Sequence, residues 1–141
     1  MENIGEGVLA LPAEWHNASL HIFTAQPPGS PGLSITVNRD RLPFGTDLET
    51  YAEDQLEKLR HQLKAFELKV KEAFQLDGRP ACDLEFVWHT DDAGPVHQLL
   101  VCVADGQKLL NFAASSQGLM NASQRAEVRR ILLSFRFHPA A

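Results

Sequence analysis

Two histidines and two aspartates near residue 90 have the types and spacing that come nearest to a metal site. His89 and His97 could face each other across a hairpin, with Asp91 and Asp92 in the loop between them. Imidazole and carboxylate groups are ordinary zinc ligands. Exposed hairpin residues of these types are far commoner than metal ligands, however, so we predict no metal and no cofactor.

Other chemistry-bearing patterns are absent from the sequence. It contains no phosphate-binding glycine loop, no nucleophile elbow and no HExxH motif. Cys82 and Cys102 lie in apolar runs and are too far apart for a CxxC site, so we expect them to be small buried core residues. We therefore expect that the protein is not an enzyme.

Two glutamines interrupt apolar stripes and are the better candidates for a binding site. Gln55 lies among leucines and alanines at helical spacing, and Gln98 shares a strand parity with Val96 and Leu100. A buried amide needs partners for both its oxygen and its nitrogen. Each glutamine is either satisfied within the core or orients a ligand in an apolar site.

Length and charge narrow the class of protein. The chain has 141 residues, enough for a single domain spanning residues 1–141, and a formal net charge of -5. An acidic chain without a basic stripe argues against nucleic-acid binding. The first residues lack an export signal, and no apolar run is long enough to span a membrane. We expect a cytoplasmic protein that does not insert into membranes.

The elements that position the two glutamines follow from the apolar periodicity. A helix is predicted to begin at Thr46, where Thr46 and Glu49 have the spacing of a capping box. Strands are predicted near residues 19–25, 33–37, 66–76, 81–90, 96–104 and 108–115, and a second helix near 122–135. Asp-Gly pairs at 77–78 and 105–106 indicate tight hairpins. This order predicts an α+β domain whose antiparallel sheet has about six or seven strands, with two helices mainly on one face.

Several strands are apolar on both faces, which is more apolar surface than helices on one face can cover. In the strand near 96–104, Leu100 and Cys102 lie on one parity, and Leu99, Val101 and Val103 lie on the other. The excess indicates either burial by a loop or a second subunit, or an exposed groove for a ligand or peptide.

Several short strings, spread over nearly the whole chain, resemble the DcrB-like family, which has a Mog1/PsbP-like fold. Within that family the chain most resembles the Eag chaperones of type VI secretion effectors. The strings are LPAEW (11–15), NRDRLPFG (38–45), YAEDQLEKL (51–59), LDGRPA (76–81), HQLL (97–100) and LSFRF (133–137).

The resemblance implies a dimeric cytoplasmic chaperone that shields apolar, transmembrane-type helices near the N-terminus of an effector until the effector is loaded. Gln55 and Gln98 match the polar contacts of the family's groove, and Leu100 shares a face with Gln98. The remaining positions assigned to its apolar lining are Leu20, Ile22, Ile35, Val37, Leu59 and Leu63.

Two other functions remain open. A regulatory interaction module of Mog1-like type would bind its partner through a charged loop such as Asp91–Asp92. A carrier of a small ligand or lipid would use the apolar groove itself.

Overall fold

A computed structural model describes residues 2–3, 6–15, 18–26, 32–92 and 94–139. Within these ranges no helix is long and apolar enough to cross a membrane. The elements, in chain order, are β1 (Glu2–Asn3), β2 (Val8–Leu9), β3 (His21–Thr24), β4 (Leu33–Arg41), α1 (Leu48–Gln62), β5 (Glu67–Leu76), β6 (Arg79–Thr90), β7 (Gly94–Asp105), β8 (Lys108–Gln117) and α2 (Ala122–Leu133).

The last six strands form one antiparallel sheet with the order β3-β4-β8-β7-β6-β5, and β1 pairs with β2 separately. Strands β5 to β8 are a meander, as predicted. Asp77 and Gly78, between β5 and β6, have φ angles of 51° and 76°. A two-residue type I′ hairpin requires positive φ at both positions, which explains the Asp-Gly pair. The α+β class and the six-stranded antiparallel sheet are thus confirmed.

Helix α1 covers one face of the sheet. Its N-cap is Asp47, whose side chain accepts a hydrogen bond from the backbone nitrogen of Thr50 at 2.8 Å, so the capping box predicted at Thr46 and Glu49 is wrong by one residue. The buried residues of this core from the helix and the sheet are Leu48, Ala52, Leu56, Cys82, Leu84, Phe86, Cys102, Ala104 and Leu109.

The two cysteines are core residues, as the sequence predicted. They lie opposite each other on β6 and β7, and both are buried free thiols. Burial raises the pKa of Cys102 to about 12 and also raises that of Cys82. Both thiols are therefore protonated, and unreactive as nucleophiles, near neutral pH.

Helix α2 covers the opposite face. Val128 and Leu132 are buried with Leu99, Val101 and Val103 of β7. These β7 residues alternate with those of the α1 core, and alternate strand residues point to opposite faces. The expectation that both helices pack mainly on one face is therefore wrong. The apolar excess of β7 is explained by a strand buried on both sides.

A buried ionic cluster fastens α2 to the sheet. The side chain of Glu85, only 2% exposed, accepts hydrogen bonds from Arg125 at 2.8 and 2.9 Å, from Arg129 at 2.8 Å and from His97 Nε2 at 2.9 Å. Arg129 also pairs with Asp83. His97 Nδ1 accepts from the backbone nitrogen of Met120, just before the helix. One carboxylate thus holds the helix, its leading loop and two strands together.

Replacing Glu85 by glutamine should destabilise the fold at neutral pH, because it removes the charge that faces two guanidinium groups. We expect a loss of roughly 3 kcal/mol in the free energy of unfolding at pH 7, measured by urea denaturation. Glu72→Gln, a change of an exposed carboxylate on β5, should alter it by less than about 0.5 kcal/mol.

The same variant should show a weaker acid dependence of stability. Burial alone would raise the pKa of Glu85, but hydrogen bonds and charge from Arg125 and His97 outweigh it and hold the pKa below its ordinary 4.5. The stabilisation is therefore present above pH 4.5 and is lost as the pH falls through the lower folded-state value. The stability gap between wild type and variant should shrink on acidification; a constant gap would refute the assignment.

Candidate partner-binding groove

One row of side chains across the sheet shows where the α1 face changes from buried to open. The register aligns Leu84, Leu100, Ala113, Thr36 and Ile22 on β6, β7, β8, β4 and β3. The exposed fraction is 0% at Leu84 and 63% at Ile22. The three residues between them, Leu100, Ala113 and Thr36, are half-buried. Helix α1 therefore shelters the half of the sheet around β6. We call the open half, with the flank of α1 beside it, the α1 groove.

Contacts on either side of α1 identify the flank that faces this groove. The Tyr51 hydroxyl donates to Asp40 Oδ2 of β4 at 3.3 Å. Glu53, on the other flank, pairs with Lys71 of β5. Residues four apart lie on one helical stripe, so Gln55 and Leu59 follow Tyr51 along the β4 side. Tyr51, Gln55 and Leu59 form the wall of the groove.

Usual strand and helix spacings leave room for one α-helix in the groove. Helix α1 packs over β6, and β8 lies two strands away, which is about 9.6 Å at the usual strand spacing of about 4.8 Å. Packed helices have axes about 8–10 Å apart. A second helix beside α1 would therefore lie over β8 and β4, where the described chain places none.

Gln98 is held in place by a tryptophan and presents a free donor to the groove. Its Oε1 accepts a hydrogen bond from Trp88 Nε1 at 2.7 Å. Its amide nitrogen has no acceptor among the described residues, and the residue as a whole is half-buried. The indole contact fixes the orientation of the amide, so the Nε2 hydrogens are available to a bound partner. Gln55 is likewise half-buried and forms no hydrogen bond within the described part of the chain.

The groove floor carries polar groups that the sequence patterns did not single out. Asn111 Nδ2 donates to Asn38 Oδ1 at 3.1 Å, and the buried Oδ1 of Asn111 has no hydrogen-bond partner among the described residues. Ser34, Thr36 and Ser115 lie on the same face. A polar residue inside the apolar string LLNFAA was the available signal for Asn111. The half-buried hydroxyls of Ser34, Thr36 and Ser115 can both donate and accept hydrogen bonds, whereas the Asn111 oxygen is buried beneath the floor.

Most of the predicted binding residues lie at this groove. Gln98, Leu100 and Ile22 lie on its floor and outer edge, and Gln55 and Leu59 lie on its wall. Leu63 follows Leu59 by four residues as the C-cap of α1 and packs at the edge of the α1 core. Leu20, 49% exposed, precedes β3 with the same parity as Ile22.

Ile35 and Val37 do not line the groove. They pair with Phe23 and His21 of β3 and pack in the α2 core on the opposite face. Assigning them to the same lining as Ile22 is therefore wrong. The alternation in β4 was correctly predicted. Its apolar residues, however, are buried on the α2 face, and its residues with hydroxyl and amide side chains face the groove.

The residues near position 90 form no common site. Asp91 pairs with Lys64 at 2.5 Å, on the exposed surface. His97 points instead into the buried Glu85 cluster. Within the described residues, no group of three histidines, cysteines or acidic residues is arranged to hold a metal ion.

Comparison with known proteins identifies the family. The DcrB family model matches residues 6–134, and the chain therefore belongs to the DcrB family. This confirms the family that the sequence strings indicated. No curated protein sequence matches the chain.

Solved structures share the fold at low sequence identity. PA94 of Pseudomonas aeruginosa, a protein of unknown function, is 19% identical with a TM-score of 0.77, over 99% of this chain and 96% of its own. LpqN, involved in cell envelope biogenesis of Mycobacterium tuberculosis, is 14% identical with a TM-score of 0.53, over 82% of each chain. The cyanobacterial PsbP of Synechocystis is 18% identical with a TM-score of 0.49, over 89% of this chain and 94% of its own.

Tyr51 allows the groove wall to be tested by titration, since it is the one tyrosine of the chain. Burial of the phenol and the negative charge of Asp40 raise its pKa to about 12. Tyrosinate absorbance near 295 nm should therefore rise with a midpoint near pH 12, against about 10 in the urea-unfolded chain. Because the folded-state pKa is the higher one, stability should be lost as the pH rises from about 10 towards 12.

Asp40→Asn should lower this midpoint, because it removes the neighbouring negative charge. Circular dichroism recorded at each pH would establish that the fold persists during the titration. A native midpoint near 10, with the secondary structure intact, would show that Tyr51 is solvated and does not form the groove wall.

Proposed function

We propose that this protein is an Eag-type chaperone that binds an apolar, transmembrane-type N-terminal helix of a type VI secretion effector in the α1 groove. The observation that carries the proposal is the helix-wide space over β8 and β4, on which the described residues place no helix. Exposed apolar side chains, Ile22 at 63% and Leu20 at 49%, lie at its outer edge. Family membership supports a binding role and leaves the identity of the partner to experiment.

The groove chemistry matches such a helix. Leu59, Leu100 and Ile22 offer apolar contact, which contributes about 25 cal/mol per Å² of buried apolar surface. A few hundred Å² would contribute roughly 10 kcal/mol before the cost of association. The Gln98 amide nitrogen can donate to hydroxyl or carbonyl oxygens that small residues leave accessible on a transmembrane-type helix.

The length of the groove favours more than one binding surface. Helix α1 has 15 residues, so its flank is about 22 Å long. A helix of about 20 apolar residues is about 30 Å long and would extend beyond that flank. A homodimer would supply a second groove for the rest of such a segment. We therefore include a homodimer in the proposal, to be checked by light scattering after size-exclusion chromatography.

We also propose a cytoplasmic location, because an effector helix must be shielded before its export. Fractionation of the native host, with the untagged protein detected by antibody, tests this part. Recovery in the periplasmic fraction would contradict a role before loading while leaving the groove itself untouched.

The binding test uses a defined apolar probe. A soluble carrier protein would bear an N-terminal segment of 20 leucines, alanines and serines, and would be co-expressed with the full chain. We expect stable co-purification, reduced at least about tenfold by Ile22→Asp and by Gln98→Glu. The first places a charge in the apolar site, and the second removes the amide donor while preserving side-chain shape.

Matched variants distinguish binding in the groove from non-specific hydrophobic binding. Ile131→Asp alters an apolar residue, 40% exposed, on α2 and should leave capture unchanged. A probe with its leucines replaced by glutamine should not be retained. Loss of capture in Ile131→Asp but not in Ile22→Asp would refute the groove. Dependence on Asp91 and Asp92 alone would favour the regulatory module of Mog1-like type, and a co-purifying small molecule in native mass spectrometry would favour a carrier.

A further inference from the structure

A second cavity lies on the α2 face, away from the α1 groove. It has a volume of about 810 Å³ and opens where the segment after α2 crosses the ends of β4, β8 and β7. Ligand sites commonly enclose about 300–1,000 Å³. Its charged lining consists of Arg39, Arg41, Lys108 and Arg136 against Asp40 and Asp105.

The cations of this cavity lack acidic partners. Arg41 lies directly opposite Lys108 in the β4–β8 register, and Arg39 lies two residues before Arg41 on the same face. Like charges placed opposite each other destabilise a sheet. None of these three side chains, nor Arg136, forms an ion pair with a carboxylate in the described part of the chain. These cations therefore form a local positive excess in a chain of net charge -5.

The two aspartates near the cavity are engaged elsewhere. Asp105 lies across from Lys108 but pairs with Arg79 at 3.5 Å. Asp40 belongs to the opposite parity of β4, where it accepts from the Tyr51 hydroxyl. Arg39, Arg41 and Lys108 are exposed, so their charges are available to a bound anion.

The apolar wall of the cavity is fixed by contacts of its own. The backbone nitrogen of Phe137 donates to Asp77 Oδ2 at 2.8 Å, and the Arg79 guanidinium lies 4.0 Å from the centre of the Phe137 ring. Phe135 packs against Phe137 with ring centres 4.9 Å apart. These rings, with Leu110, place an apolar surface beside the cations.

We propose that this cavity binds an amphipathic anion: a carboxylate or phosphate group attached to an apolar chain. Arg41, Lys108 and Arg39 bind the anionic group, because guanidinium and ammonium groups are strong donors to carboxylate and phosphate oxygens. The phenylalanine rings and Leu110 contact the apolar chain. The site lies on the opposite face from the α1 groove and does not depend on the effector-binding role.

Isothermal titration calorimetry with the full chain tests the proposal, using decanoate and decyl phosphate below their micelle-forming concentrations. Decanol supplies the chain without charge, and inorganic phosphate supplies the charge without a chain. We expect saturable binding of at least one charged probe, and at least about tenfold weaker binding of decanol and of inorganic phosphate. The two charged probes distinguish a carboxylate from a phosphate ligand.

The double variant Arg41→Gln/Lys108→Gln should weaken binding of the charged probe at least about tenfold. Lys58→Gln/Arg130→Gln removes the same charge from exposed helix positions and should leave binding unchanged, as should Ile22→Asp in the α1 groove. Single Arg41→Gln, checked by thermal unfolding, serves if the double variant does not fold. Binding that survives Arg41→Gln/Lys108→Gln, or that Ile22→Asp abolishes, would overturn the proposal, as would equal binding of decanol.

Discussion

The structure depends on a mismatch of width between one sheet and the single helix on each of its faces. Six strands span about 24 Å, whereas a helix with its side chains is about 10–12 Å wide. Both faces of the central strands are apolar, so each must be covered, and one helix covers only about half of a face. The Glu85 cluster fixes α2 over its half, and apolar packing, with polar contacts at Tyr51 and Glu53, fixes α1. Two uncovered halves, one on each face, follow from this geometry.

The two open halves differ in how far other parts of the chain cover them. On the α2 face, the apolar parity of β4 continues the core, and Phe135 and Phe137 extend cover beyond the helix end. On the α1 face, the described chain places no comparable segment over β8 and β4. The same strand β4 therefore contributes Ile35 and Val37 to a packed core and Thr36 to an open floor. The open part of the α2 face is therefore divided into cavities beside the segment after α2, whereas the α1 groove is an uncovered stretch of sheet.

Periodicity predicted the meander, both helices and the exceptional positions of Gln55 and Gln98, because these are local properties of the chain. Periodicity could not predict which face of the sheet each helix covers. A period of two shows that Ile35 and Val37 share a face, but not which helix lies on that face. The register that carries Ile22 to Leu84 through three intervening strands involves residues more than sixty positions apart. Likewise, the Glu85 cluster joins β6 to α2 across forty residues, beyond any local pattern.

The polar residues of the groove floor serve two purposes that a purely apolar floor could not serve together: hydration of the empty groove and selection of the helix that binds. An open floor composed only of aliphatic side chains would leave a large apolar patch in water and promote self-association. Thr36, Ser34 and Ser115 can be hydrated while the groove is empty. When a helix enters, their hydroxyls must find new partners or be left unsatisfied, which costs about 1–3 kcal/mol for each group. Gln98, already oriented by Trp88, therefore favours helices that present hydroxyl or carbonyl oxygens over uniformly aliphatic ones.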